Sequence, residues 1–147
     1  MHEHRQYLDI SKARTAEQKE QMVQIIAEGI CPFCPEHLAT YHSEPIISET
    51  PYWLVTPNQH PYEFTQEHLL LIARRHVEHI RELTKAEWQD LGKLATSLTS
   101  SMEFGGFGAR FGDINRTAAS VAHLHFHIIQ PLDDLAPDQT VRFKIST

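Results

Sequence analysis

The sequence predicts an α+β domain, and three observations predict it. Two stretches open with helix-start signals and continue with apolar residues at helical spacing. Several short apolar or alternating runs read as strands. The two kinds of element follow one another as helix, strands, helix, strands, which suits strands and helices segregated in one domain. The 147 residues are enough for one domain with a real core, and a hydrophobic content of 41% is ordinary for such a domain.

The first fourteen residues are polar and read as an arm, free to move, ahead of a single domain over residues 15–147. The first helix is expected from Thr15, because Thr15-Ala16-Glu17-Gln18 has the form of a capping box. Met22, Val23, Ile25, Ile26 and Ile30 give it an apolar face, and Gly29 can end it in a left-handed conformation. Cys31-Pro32-Phe33-Cys34-Pro35 must be irregular, since two prolines remove donors and restrict their predecessors. Short strands are expected over Ile46–Glu49 and Tyr52–Val55, then a loop with Pro57, Asn58 and Pro61. His68–Arg74 reads as a buried strand, because Leu69-Leu70-Leu71-Ile72 runs without alternation. A second capping box, Thr84-Lys85-Ala86-Glu87, opens a helix carrying Trp88, Leu91, Leu94, Ala95, Leu98 and Met102 at helical spacing, stopped by Gly105-Gly106. Phe107–Phe111 should be a strand, Gly112–Thr117 a turn, and His123–Ile129 an alternating strand ended by Pro131.

Charge and composition exclude some functions. A formal charge of −6 argues against a general attraction to nucleic acid or anionic membranes, so a polyanionic ligand would need a local positive site. The longest apolar stretch, Leu69–Ala73, is far too short to span a bilayer, and Met1–Arg5 lacks the apolar core of a secretory signal. A cytoplasmic location is therefore the expectation.

His123-Leu124-His125-Phe126-His127 carries the chemistry. Residues two apart on a strand share a face, so three imidazoles line one side at intervals of about 7 Å, and Leu124, Phe126 and Ile128 line the other. Three readings compete: a metal site on imidazole ligands, a nucleophilic imidazole activated by its neighbours, or a polar sheet face that carries histidines. Cys31 and Cys34 pose a separate question. A redox pair should open a helix after a strand, whereas this one follows a helix and precedes Pro35. Two free cysteines are the plain alternative, and a pair of thiolates sharing one tetrahedral zinc suits the spacing best; it needs two more ligands, and His37 and His42 are close in sequence.

His-Leu-His-Phe-His-Ile-Ile, with Ser120-Val121 ahead of it, resembles the signature of the histidine triad superfamily, in which three histidines alternate with apolar residues. The likeness reaches upstream to Cys31 and is greatest to the branch with dinucleoside polyphosphate phosphorylases and hydrolases and galactose-1-phosphate uridylyltransferase. It implies an antiparallel sheet of about five strands, a long helix over about residues 84–104 and an N-terminal helix. It implies that His125 is the nucleophile toward the phosphorus next to a nucleoside. His127 then supplies positive charge at the phosphate or leaving oxygen, with Ser120 near the leaving group. Asn58 matches the residue that bonds the ribose hydroxyls, although a Pro-Asn turn alone explains it. Asp113 stands where many relatives carry a nucleotide-binding Asn, and Ala118-Ala119 replaces their usual Gly or Gln. His68 matches a histidine that is more often structural, and Phe33 and Trp53 are candidates for a base pocket. The resemblance moves the metal ligands to Cys31, Cys34, His76 and His123, holding a structural zinc, and it implies a homodimer. The function implied is a nucleotide hydrolase or nucleotidyltransferase acting through a nucleotidyl-histidine. A zinc hydrolase on the three histidines and a non-catalytic nucleotide-binding module are the alternatives.

Overall fold

A computed structural model of the chain describes residues 6–146. Strands β1 (Ser48–Glu49), β2 (Trp53–Pro57), β3 (Thr65–Ala73), β4 (Gly106–Ala109) and β5 (His125–Pro131) form one sheet in the order β1-β2-β3-β5-β4. Every neighbouring pair is antiparallel. The helices are α1 (Ala16–Glu28), α2 (Pro35–Tyr41) and α3 (Lys85–Leu98). None is long and apolar enough to cross a membrane.

The unalternating run of β3 has a simple cause: both faces of the sheet are covered there. Leu69 and Leu71 point into the main core with Trp53, Val55, Leu124, Phe126, Ile128 and Leu91 of α3. Leu70 and Ile72 point the other way, into a smaller cluster with Leu54, Leu38 of α2 and Phe33. β5 lies beside β3 in the middle of the sheet, with Leu70 opposite His127 and Ile72 opposite His125. The histidines therefore emerge on the α2 face, and the apolar residues between them anchor β5 to the α3 face.

The helix signals are used almost as expected. Thr15 caps α1 by accepting from Gln18 N–H at 3.0 Å, but the Gln18 amide reaches back to Arg14 N–H rather than to Thr15. Gly29 ends α1 at φ 66°. Thr84 and Glu87 close a full capping box at α3. That helix stops at Leu98, not near residue 104. Past Ala95 the chain is rich in Ser and Thr, whose hydroxyls compete for helix carbonyls: Thr99 donates to Ala95 O at 2.7 Å and Ser100 to Ser97 O at 2.8 Å. Gly105 consequently ends no helix. It passes β5 so closely that a Cβ there would lie 2.8 Å from Ile129 O.

Strand ends also shift. β1 is shorter than expected, leaving Ile46 and Ile47 exposed. β4 ends at Ala109, where Arg110 turns toward the C-terminal segment, its Nε donating to Lys144 O at 2.5 Å. β5 begins at His125, because Leu124 spends its N–H on Val77 O at 2.7 Å. Of the polar first fourteen residues, 1–5 lie outside those described, and 6–14 are docked rather than free. Leu8 pairs with Val121 and is buried against Met22 and Ile25 of α1, and Asp9 N–H donates to Ser120 O at 3.0 Å.

Candidate active site and metal centre

His125 and His127 leave β5 on the same face, with ring centroids 5.0 Å apart. Their tautomers follow from the bonds each nitrogen makes. His125 Nδ1 lies 2.7 Å from the carbonyl of His123, so it carries the proton and Nε2 keeps its lone pair. Burial pushes His125 down to about 4, against an ordinary 6.5, so the ring is neutral at pH 7. Phe33 stands edge-on to it at 5.1 Å.

His127 is set the opposite way by a relay. Tyr62 N–H donates to His68 Nδ1 at 3.1 Å, which puts the His68 proton on Nε2. That Nε2–H donates to His127 Nδ1 at 2.8 Å, so the His127 proton sits on Nε2, which is buried and has no partner among the described residues. Burial, then the charges of neighbouring groups, hold His127 well below its ordinary value and His68 at about 4. His127 thus presents a neutral N–H donor rather than the positive charge that the sequence suggested. His68 gains a definite task, fixing that tautomer, where only a structural one was expected.

The other expected residues are distributed unevenly. Asn58 stands beside His68, its Nδ2 3.3 Å from Nε2. Both are donors, so no hydrogen bond joins them. The Asn58 carbonyl oxygen accepts from His60 N–H at 2.9 Å, which is the turn role, and leaves the amide hydrogens for a ligand. Ser120 is half-buried and its hydroxyl makes no hydrogen bond among the described residues, while its carbonyl receives Asp9. Asp113 is exposed on the turn after Gly112, its carboxylate accepting from Asn115 N–H at 2.9 Å. Trp53 lines no base pocket. It is fully buried on the α3 face of the sheet, opposite the histidines, with Nε1 donating to Glu87 O at 2.9 Å.

Cys31, Cys34, His76 and His123 converge, their ligand atoms all within 4.8 Å of one another. The first two come from the loop between α1 and α2, His76 from the turn after β3, and His123 from the approach to β5. Their hydrogen bonds test whether a cation fits. His123 Nε2 lies 2.5 Å from Ala73 O and His76 Nε2 3.0 Å from the Glu78 carboxylate, so both outer nitrogens donate. Both Nδ1 lone pairs then face each other at 3.1 Å, with Cys31 Sγ 3.4 Å from His123 Nδ1 and Cys34 Sγ 3.4 Å from His76 Nδ1. A tetrahedral zinc with two nitrogen and two sulfur ligands needs edges of about 3.3–3.8 Å. Four of the six edges lie at 3.1–3.7 Å and all six within 4.8 Å, so small side-chain adjustments let the four residues fit such an ion, and the outer acceptors fix the imidazoles, as at established zinc centres. Without a cation, burial raises the Cys31 thiol to about 12. His37 and His42 are not ligands: the first lies on α2 and the second bonds Thr56 Oγ1 at 2.7 Å.

Four side chains at the site gave no signal in the sequence. Tyr62 stacks on His127, centroids 5.9 Å apart, and Phe143 meets the same ring edge-on at 5.1 Å. Arg110 donates to the Tyr62 hydroxyl at 2.8 Å, and the Arg14 guanidinium lies 5.1 Å from the Tyr62 ring centroid. They come from four separate segments, so no local spacing joins them. Glu78 could have been found, two residues after a candidate ligand histidine.

Solved structures share this architecture. A histidine triad nucleotide-binding protein from Candida albicans superposes with a TM-score of 0.58 at 18% identity, over 78% of this chain and 86% of that one. A zinc-bound histidine triad family protein from Mycobacterium smegmatis gives 0.56 at 17%, over 79% and 82%. The diadenosine triphosphate hydrolase of Plasmodium falciparum, solved with cyclomarin A, gives 0.52 at 21%, over 60% and 62%. At these identities the likeness is one of fold. No curated protein matches the sequence. The family model of the HIT domain matches residues 40–133, which include all five strands, α3, and the histidines of β5. The chain belongs to the HIT family.

Proposed function

We propose that the protein is a nucleotide hydrolase or nucleotidyltransferase that works through a nucleotidyl-His125 intermediate. The observation that carries this reading is the opposite setting of two neighbouring histidines: His125 offers a lone pair and His127 an N–H on the same face. In the first step His125 Nε2 attacks the phosphorus attached to the nucleoside. The bond from phosphorus to the leaving oxygen breaks, and its electron pair departs with that oxygen. His127 Nε2–H donates a hydrogen bond to the phosphoryl or leaving oxygen as charge grows there. The His123 carbonyl, accepting from Nδ1–H, stabilises the positive imidazole that forms on attack. In the second step an acceptor oxygen from water or phosphate attacks the same phosphorus. The P–N bond breaks, its electron pair returns to Nε2, and the acceptor's proton is released to solvent. Asn58 holds the ribose through its free amide hydrogens, and Phe33 borders the nucleoside side of His125.

Cys31, Cys34, His76 and His123 are proposed to hold a structural zinc, which, when bound, ties the loop before α2 to the catalytic strand. Four protein ligands leave no open position, so His125 and His127 remain free for chemistry. Nucleotides or dinucleoside polyphosphates are the proposed substrates, and a cytoplasmic homodimer is the proposed form. Edge strand β4, beside exposed Phe104 and Phe107, is a surface that can support such pairing.

His125→Ala tests the reading in a turnover screen over dinucleoside polyphosphates, nucleoside phosphoramidates and nucleotide sugars, with and without phosphate. Turnover should be lost while nucleotide affinity and zinc content stay close to wild type, because the lost interaction belongs to the reaction. Near-normal turnover would end the proposal. Loss of zinc from that variant would favour a metallohydrolase on the three histidines.

A further inference from the structure

Beside the triad lies a cationic group to which the reaction above gives no task. The C-terminal segment folds back along this side: Ala118 N–H donates to Ile145 O at 2.9 Å, and Phe143 packs on His127. The Arg110 guanidinium lies 4.1 Å from the Phe143 ring centroid and 6.0 Å from that of Tyr62. Its hydrogen bonds go to the Tyr62 hydroxyl and the Lys144 carbonyl, both neutral. Arg14 likewise bonds only carbonyls, those of His60 and Pro61. Among the described residues neither arginine forms an ion pair. A chain of net charge −6 thus keeps two unneutralised cations around one tyrosine, against the ring whose buried Nε2–H lacks a partner. The charge of Arg110 reaches His68, His125 and His127, and that of Arg14 reaches His68 and His127, disfavouring protonation of each ring. The like charges also act on each other, so that burial and Arg110 together hold Arg14 below its ordinary pKa.

Two cations held together against their mutual repulsion, with only neutral acceptors, suit an anion with several oxygens. We propose that Arg14 and Arg110 bind the charged phosphates beyond the scissile phosphorus, so that the substrate's leaving group is itself a phosphate or polyphosphate. This rests on the His125 reading and narrows it. A nucleotide joined to an amine or a neutral alcohol leaves the cations unused, whereas a dinucleoside polyphosphate carries further charged phosphates for them to hold. Tyr62 and Phe143 are positioning residues: the Tyr62 hydroxyl accepts from Arg110, and the Phe143 ring lies under its guanidinium.

Inorganic tripolyphosphate titrated into the intact protein by calorimetry tests the cation site without any turnover. Arg110→Gln and Arg14→Gln should each weaken binding by about tenfold or more, the usual loss for a charge-assisted hydrogen bond to phosphate. Arg110→Lys should lose less, because it keeps the charge without the planar fork. Should Arg110→Gln fail to fold, Arg14→Gln carries the same test. Tripolyphosphate that does not bind the wild type, or binds the Gln variants equally well, overturns the inference. With a dinucleoside triphosphate and a nucleoside phosphoramidate as substrates, the loss of kcat/KM in Arg110→Gln should be greater on the first by about tenfold. Equal losses overturn the inference as well. A wild type that binds tripolyphosphate but cleaves neither substrate defeats the His125 reading and leaves the anion site standing.

Discussion

His125 and His127 are the same side chain on the same strand, and hydrogen bonding alone sets them in opposite tautomers. A backbone carbonyl holds the proton of one on Nδ1, and a second histidine holds that of the other on Nε2. His68 is therefore the residue on which the site's polarity turns. It is buried and neutral, and its pKa falls from 6.5 to about 4, chiefly through burial. The unfolded chain takes up a proton on His68 as pH drops below about 6.5, and the folded chain does not until about 4. Its contribution is thus fully present above 6.5 and is lost as pH falls through that window. Urea unfolding at a series of pH values, with zinc supplied, should show His68→Gln losing roughly 1–3 kcal/mol less than wild type between pH 6.5 and 4. Parallel pH profiles would contradict a buried neutral His68. At this scale the sequence disclosed the three histidines and, through the family resemblance, the four residues that converge as a candidate metal centre, because their spacings are local or shared with relatives. Arg14, Tyr62, Arg110 and Phe143 stayed hidden, since only the folded chain brings them together. Asn58 has the turn role, accepting from His60 N–H through its side-chain oxygen, and its ribose contact is part of the proposal.

Among the elements, α3 was the most legible and also the most instructive. Its start was written in a capping box and its buried face in its periodicity, but its end lay in Ser and Thr hydroxyls whose competition for carbonyls a periodicity count does not register. β3 was legible because burial on both faces needs an unbroken apolar run. The docking of residues 6–14 was not, because Leu8 anchors the stretch through a long-range bridge, with Ile10 and Ala13 packed beside it, and no local periodicity marks the three. α3 covers the sheet face opposite the histidines. Thr84→Ala should accordingly cost about 1 kcal/mol of stability through the lost cap and leave kcat unchanged. Thermal unfolding and turnover on the same preparation check this. A kcat that falls with the cap would show that α3 acts on the site beyond supporting the sheet.

Across the whole molecule, the Cys31, Cys34, His76 and His123 cluster draws together three segments: the loop before α2, the turn after β3 and the approach to β5. Metal binding there is folding energy. Elemental analysis should find about one zinc per chain, absent from Cys31→Ser/Cys34→Ser, and chelation should lower Tm in the wild type alone. Zinc retained by the double variant would move the metal to the histidines of β5. The proposed reaction depends on one bond, that from His125 Nε2 to phosphorus. Wild-type protein mixed with a nucleotide substrate labelled on the phosphate next to the nucleoside, then quenched rapidly without acid, should carry the label as a phosphoramidate. Peptide mapping should place it on His125, and His125→Ala should carry none. Single-turnover cleavage without labelled protein, or label on another residue, would contradict the account at its centre.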